Sequence, residues 1–402
     1  MNTADTAFIL ICSALVMFMT PGLALFYGGL VRSRNVLSTT LHSFVLLGVG
    51  SIVWAVIGYT LAFGPDVSGV IGGLDHLFLR GVGAAPSEAA KTIPHVLFMV
   101  FQCMFAVITP ALISGAFAER IRFSAMLLFT VLWLVLVYAP MAHWVWGGGW
   151  MFTLGAVDFA GGAVVHMSSA AAALAAAQVL GRRRGYGKEA FLPHNLPMSV
   201  LGAGVLWFGW FGFNAGSALA ANELASWAFV TTHMAAAAGL LGWMGIEKLH
   251  SGKPTALGAA SGAVAGLVAI TPAAGFVDPM SAIVIGFIGG MLCYGGVLLK
   301  HKFKYDDALD VVGVHGVGGT WGALATGIFA SAEINGVNGL LHGAPGQLWI
   351  QFLSVVATWL FCYTMSRIIF KVVDALVGLR VEPEDEMAGL DQSEHNETGY
   401  QM

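Results

Sequence analysis

The chain is 402 residues long, 57% hydrophobic and only 10% charged, with a formal net charge of −4. Soluble domains carry about 25% charged residues, so this chain has too few to cover a water-facing surface. That excludes most soluble enzymes, and the lack of a large basic block excludes nucleic acid as a partner.

A spanning helix takes about 20 apolar residues. Apolar runs between polar breaks predict eleven spans, near 6–31, 39–63, 93–117, 123–142, 160–180, 196–214, 222–246, 256–271, 281–299, 311–330 and 346–374. The first run is too long for a signal-peptide core, and no Lys or Arg precedes it, so it reads as a span. No connection is long enough to hold a soluble domain. With the N-terminus outside, sixteen of the 18 Lys and Arg residues fall on one side. Only Arg80 and Lys91 fall on the other. The positive-inside rule then places the C-terminus in the cytoplasm. In a bacterium-like cell the N-terminus faces outward, and the expected location is the plasma membrane (the inner membrane of a Gram-negative cell). Cys12, Cys103, Cys293 and Cys362 are far apart in apolar runs and read as inert core thiols. The 53 glycines exceed the usual share of about 7% and fit a bundle of closely packed helices.

A weak internal repeat links the fifth and tenth runs. The fifth holds Gly161-Gly162-Ala163-Val164-Val165-His166 and the tenth holds Val311-Val312-Gly313-Val314-His315-Gly316. Five spans separate them, an odd number, so the two halves have opposite orientation. A site at the interface of inverted halves is a known transporter plan. Ionisable groups within spans are rare and face cavities or partners. A neutral imidazole pair shares one N–H···N bond and leaves one donor and one acceptor outward. That suits a small substrate that both donates and accepts. No HExxH and no carboxylate at ligand spacing follows either His, and two His are too few for a zinc site. No enzyme, metal or cofactor is therefore expected. His42 and His233 read as packing residues.

Asp158 opens the fifth span and suits its N-terminal N–H groups and dipole. Its carboxylate also suits a neighbouring cation site. Asp310 precedes the tenth span and reads as a cap or loop anchor. Aromatic sets lie at the outer ends of spans: Phe101 and Phe105; Trp144, Trp146 and Trp150; and Trp207 through Phe213. Aromatic faces attract cations, although packing alone also explains any one set.

Taken together, several stretches resemble the ammonium transporter family (Amt/MEP/Rh), in its bacterial Amt branch. They are Pro21-Gly22-Leu23-Ala24-Leu25-Phe26-Tyr27-Gly28-Gly29, Ala118-Glu119-Arg120-Ile121-Arg122-Phe123 and Trp146-Gly147-Gly148-Gly149. Asp158 through His166, Gly209 through Ser217, Gly313-Val314-His315-Gly316 and Val377-Gly378-Leu379-Arg380-Val381 complete them in order. The resemblance implies an all-α membrane fold of eleven helices, two inverted five-helix repeats plus a final long helix. It also implies a homotrimer with one pore per subunit, transporting ammonium or ammonia through the lipid bilayer. On that resemblance, Phe105, Trp146 and Ser217 form an outer cation-recruitment site organised by Asp158. Phe105 and Phe213 are the stacked rings that obstruct the pore, and His166 and His315 are its twin histidines.

Residues 1–380 read as the membrane domain and 381–402 as a cytoplasmic tail. The tail is acidic, with Glu382, Glu384, Asp385, Glu386, Asp391, Glu394 and Glu397. By composition it reads as a solvated end. The resemblance implies instead that it packs on the cytoplasmic face, tunes the pore and helps a PII-type signal protein dock. An ammonium sensor signalling to a cytoplasmic partner is the alternative function.

Overall fold

The structure, a computed structural model, describes residues 1–400. Among the described residues nine helices are long and apolar enough to cross a membrane. They are the first span (Thr3–Leu30), second (Ser33–Phe63), third (His95–Phe117), fourth (Phe123–Leu154) and fifth (Gly162–Leu180). The sixth (Leu196–Gly216), seventh (Glu223–Ser251), ninth (Pro279–Phe303) and eleventh (Pro345–Val377) follow. Two shorter apolar helices complete the eleven. The eighth is Ala256–Ile270, and the tenth runs through Val312–Gly316 into Val317–Phe329.

Short polar side chains set several starts. Asn2, Asn195, Asn222 and Thr255 each accept from backbone N–H groups of the first turn of spans one, six, seven and eight. Asp278 does the same for the ninth. The fourth span breaks after Val145 and resumes at Trp150–Leu154. The break falls on Gly147, Gly148 and Gly149, of which Gly148 has φ 88°. This is the left-handed region that glycine enters without penalty.

Spans one and six, the first members of the two inverted halves, pack along each other at very close range. A methyl built on Gly202 would come within 2.7 Å of the Gly22 carbonyl oxygen. Small residues are what allow such approach where lipid supplies no hydrophobic drive between helices. Spans five and ten meet at the centre of the molecule. Each carries its histidine in a wide i→i+5 turn, Gly162–Met167 and Val312–Gly316. Such turns re-aim side chains and are frequent at functional sites. The eleventh span packs across both, outside the repeat.

The described part of the acidic tail, residues 381–400, is docked and carries two short helices, Pro383–Ala388 and Leu390–His395, and is not a solvated end. Ile121 and Arg380 form an antiparallel bridge, and Arg122 N donates to Leu379 O at 2.9 Å. Three tail acids find backbone N–H groups. The Asp391 carboxylate accepts from Leu37 N at 3.0 Å and Ser38 N at 2.8 Å. Glu394 accepts from Phe123 N at 2.8 Å, and Glu386 from Arg184 N at 2.7 Å. Two of these three are helix starts, where the helix dipole favours negative charge.

Candidate functional site: a central pore with paired imidazoles

The fifth span starts abruptly because Asp158 caps it. Its Oδ1 accepts from Gly161 N at 2.9 Å and Gly162 N at 2.6 Å, and its Oδ2 from Ala163 N at 2.7 Å. Gly161, with φ 116°, makes the turn into the helix. The backbone oxygen of Asp158 accepts from Trp146 Nε1 at 2.9 Å. The acid therefore fixes both the start of the fifth span and the indole above it.

Trp146 meets Phe105 edge-on, centroids 5.9 Å apart at 86°. Below it Phe105 and Phe213 lie 4.2 Å apart at 31°. Both rings are buried. Ser217 stands one turn after Phe213 and donates to its carbonyl at 2.8 Å. Its hydroxyl oxygen therefore keeps lone pairs for another donor. Phe213 continues the stack onto His166, with centroids 6.1 Å apart at 23°. Trp210 lies on the same imidazole at 5.4 Å and 24°.

His315 Nδ1 lies 3.2 Å from His166 Nδ1, and the rings are nearly parallel at 26°. One Nδ1 donates and the other accepts, so the neutral rings are opposite tautomers. One outer Nε2 then carries a proton and the other is a bare acceptor. His166 Nε2 is buried without a protein partner. Below the pair opens a cavity of about 710 Å³, lined by both histidines, Val314 and Leu23, and by Tyr186, Glu189 and Lys300. Among the described residues no group of three His, Cys, Asp or Glu is placed to hold a metal.

Of the two roles read for Asp310, cap or loop anchor, the structure gives it the second. The tenth span is capped by Asp307, whose Oδ2 accepts from Val312 N at 2.7 Å. Asp310 instead has a left-handed backbone, φ 64°, and pairs with Lys300. Asp307 precedes His315 by the same eight residues that separate Asp158 from His166. That matched spacing was the signal available in the sequence. Trp210 was visible there only as one of a cluster of aromatics. Burial first and Asp310 second push the Asp307 carboxyl up to about 6, while Lys300 and the helix N–H groups pull the other way.

Beside it lies a buried charge network. Arg183 reaches Asp306 with Nε at 2.9 Å and NH2 at 2.8 Å, and Glu119 with NH1 at 3.0 Å. Glu119 also accepts from Arg32 Nε at 3.0 Å and Asn35 Nδ2 at 3.0 Å. Burial raises the Glu119 carboxyl, but Arg183 and Arg32 outweigh it and hold it below the usual range. Asp306 is held low in the same way, with Arg183 and Arg120 offsetting burial. Asn35 Oδ1 accepts from Leu390 N at 2.8 Å, so the network extends into the tail. His42, read as a packing residue, lies between Phe117 and Phe123, and neither ring nitrogen has a partner.

The Ammonium Transporter Family model matches residues 7–400. The chain belongs to that family. An ammonium transporter of Bacillus subtilis is 55% identical, aligned over 100% of this chain and 99% of its own. Ammonium transporter Amt1 of Archaeoglobus fulgidus is 48% identical over 100% of both chains. Among solved structures, Saccharomyces cerevisiae Mep2 superposes with a TM-score of 0.90 at 38% identity, covering 96% of this chain and 89% of that one. A Sensor Amt Protein superposes with a TM-score of 0.90 at 30% identity, covering 98% of each. The family settles the class: a multi-pass membrane protein of eleven helices in inverted halves, a transporter and not an enzyme.

Proposed function

We propose that the chain transports ammonium nitrogen across a membrane, and that the observation carrying this reading is the imidazole pair at 3.2 Å beneath a closed aromatic stack. An intact cation at the bilayer centre costs at least about 2.5–3.5 kcal/mol. Trp146, Phe105 and the lone pairs of Ser217 receive the hydrated cation at the outer mouth. Asp158 holds that mouth by its contacts to Trp146 and the fifth span. Phe105 and Phe213 exclude water, and His166 and His315 supply the polar atoms along an otherwise apolar path. That lining favours ammonia, or ammonia and a proton moving separately, over hydrated ammonium. Potassium has a similar size but donates no hydrogen bond, so it leaves the acceptors unpaired.

On this reading the N-terminus faces outward and the C-terminus lies in the cytoplasm of a cell whose plasma membrane holds the protein. The basic residues support that orientation. Residues 1–380 form the transport domain, which assembles as a homotrimer. Residues 381–402 form a cytoplasmic segment that regulates the pore and offers a surface to a PII-type signal protein. A sensor function is not favoured, since the transporter relatives match end to end at 55% and 48% identity. Proteoliposomes loaded with the purified protein test the proposal. Ammonium and methylammonium are expected to drive uptake or current, and potassium is not. Equal responses to ammonium and potassium would reject selective transport.

A further inference from the structure

The two inverted halves build their mouths to one plan and fill it differently. At the outer mouth Trp146, near the end of the fourth span, donates Nε1 to the backbone oxygen of Asp158 at 2.9 Å. At the inner mouth Lys300, near the end of the ninth span, donates Nζ to the backbone oxygen of Asp307 at 3.1 Å. The fourth and ninth spans hold the same place in their halves, and Asp158 and Asp307 cap the fifth and tenth. Trp146 and Lys300 are therefore counterparts.

A second pair of positions matches in the same way. Gly161 follows Asp158 by three residues, and Asp310 follows Asp307 by three. Both have left-handed backbones, φ 116° and φ 64°. A methyl built on Gly161 would stand 3.4 Å from Trp146 Cη2, and the carboxylate that Asp310 carries pairs with Lys300. Asp enters the left-handed region less readily than Gly, so this carboxylate stands there at a backbone cost. Outside, an aromatic face beside a glycine leaves room for a cation. Inside, the corresponding place holds a lysine ammonium on a carboxylate. The Lys300 side chain is only 12% exposed. It lines the cavity beneath the histidines with Asp310, Glu189 and Glu247, and acids in such a recess draw cations toward it.

We infer that Lys300 denies the inner mouth a cation site: its Nζ, a tethered alkylammonium, occupies the place where a counterpart of the outer recruitment site would form. The inference rests on the transport reading above. A lysine Nζ and an ammonium ion offer Asp310 the same charge and the same kind of N–H donor, so one excludes the other. An ion emerging at this end finds the carboxylate beside the cap already paired, and its release is not slowed. Lys300 therefore sets how weakly the inner mouth holds ammonium, as Trp146 sets how strongly the outer mouth does.

Proteoliposomes in which every molecule faces one way, oriented by capture on a C-terminal tag, allow ammonium transport to be measured from each mouth. Lys300→Met is expected to lower the half-saturating ammonium concentration on the Lys300 side about fivefold, the pull of one uncovered carboxylate at about 4 Å in water. The maximal rate from that side falls in parallel, because the barrier beyond the site is unchanged. A merely structural lesion lowers the rate and leaves half-saturation alone. Lys300→Arg keeps the charge and is expected to keep the wild-type value. Asp310→Asn uncovers the Lys300 charge and is expected to raise the value, and it carries the test should Lys300→Met fail to assemble. An unmoved half-saturation in Lys300→Met, an equal fall in Lys300→Arg, or no rise in Asp310→Asn would overturn the inference. A wild type that moves no ammonium from either mouth would reject transport itself, whereas an active wild type with an unmoved Lys300→Met curve rejects this inference alone.

Discussion

In the proposed outer site Trp146 is replaceable in volume but not in its electrostatic face. Trp146→Leu is expected to raise the half-saturating ammonium and methylammonium concentrations about tenfold, since a desolvated cation–π contact contributes roughly 1–2 kcal/mol. Uptake measured against concentration checks this, and an unchanged curve would remove Trp146 from the cage. At the centre, replacing both His166 and His315 by apolar residues is expected to abolish selective transport. His166→Asp is expected to conduct ammonium while losing discrimination against potassium, because a carboxylate attracts either cation. Paired ammonium and potassium currents on wild type and both variants decide it. Normal selective transport by the doubly apolar variant would eliminate the relay. Asp307 gives a prediction of opposite sign to most buried acids. Its carboxyl is raised to about 6, so its contribution to stability is present below about pH 4 and is lost as pH rises through 6. Asp307→Asn keeps an oxygen for Val312 N and drops the buried charge. It is expected to gain up to roughly 3 kcal/mol of stability at pH 7.5 and almost none at pH 4. Thermal unfolding in detergent at the two pH values reads the difference.

Helix contacts explain why some positions tolerate so little. A side chain at Gly202 meets backbone of the first span, whereas one at Gly204 meets nothing within 4 Å. Gly202→Ala is expected to cost on the order of 1–3 kcal/mol and Gly204→Ala almost nothing, measured by thermal unfolding of the two proteins. Equal losses would mean that the close crossing of spans one and six does not set the cost, since helix propensity favours Ala over Gly at both positions. The spans themselves were legible, because hydropathy and basic residues report directly on membrane position. The histidine pair was legible because both residues sit in similar Gly/Val surroundings. The role of Asp307 over Asp310 was not, since a backbone reversal at Asp310 and the reach of Lys300 decide it. Nor was tail docking, because Asp391 meets Leu37 and Ser38 across most of the chain, and composition carries no such information. That Phe105 and Phe213 lie together was legible only through the family stretches, as any one aromatic set also fits packing.

Across the whole molecule, the buried network joins the first, third and fifth spans to the tail through Asn35. Glu119 and Asp306 are both held below the usual carboxylate range. Their contribution is therefore present above about pH 5 and lost as pH falls through and below about 4. Acidification is expected to release residues 381–400 before the bundle opens. Hydrogen exchange should rise about tenfold in that segment, corresponding to a local loss of about 1.4 kcal/mol, while the core of the fifth span stays protected. Simultaneous loss of protection in both would show that the network supports the bundle as a unit rather than tethering the tail.

The hydrogen bond between the two imidazoles has a direction, set by which Nδ1 holds the proton, and so the pair stores one bit. A proton arriving at the bare outer nitrogen, with another leaving the opposite ring, passes the Nδ1 proton across and reverses that bit. The next proton of the same heading then finds its acceptor already filled. Sustained one-way proton flow needs a reset, by a ring turn or a return hop, and the 3.2 Å spacing between parallel, packed rings makes turning slow. A relay through this pair in the proposed pore therefore has a memory of its last passage, and the reset time of that memory sets an upper bound on any proton current so carried.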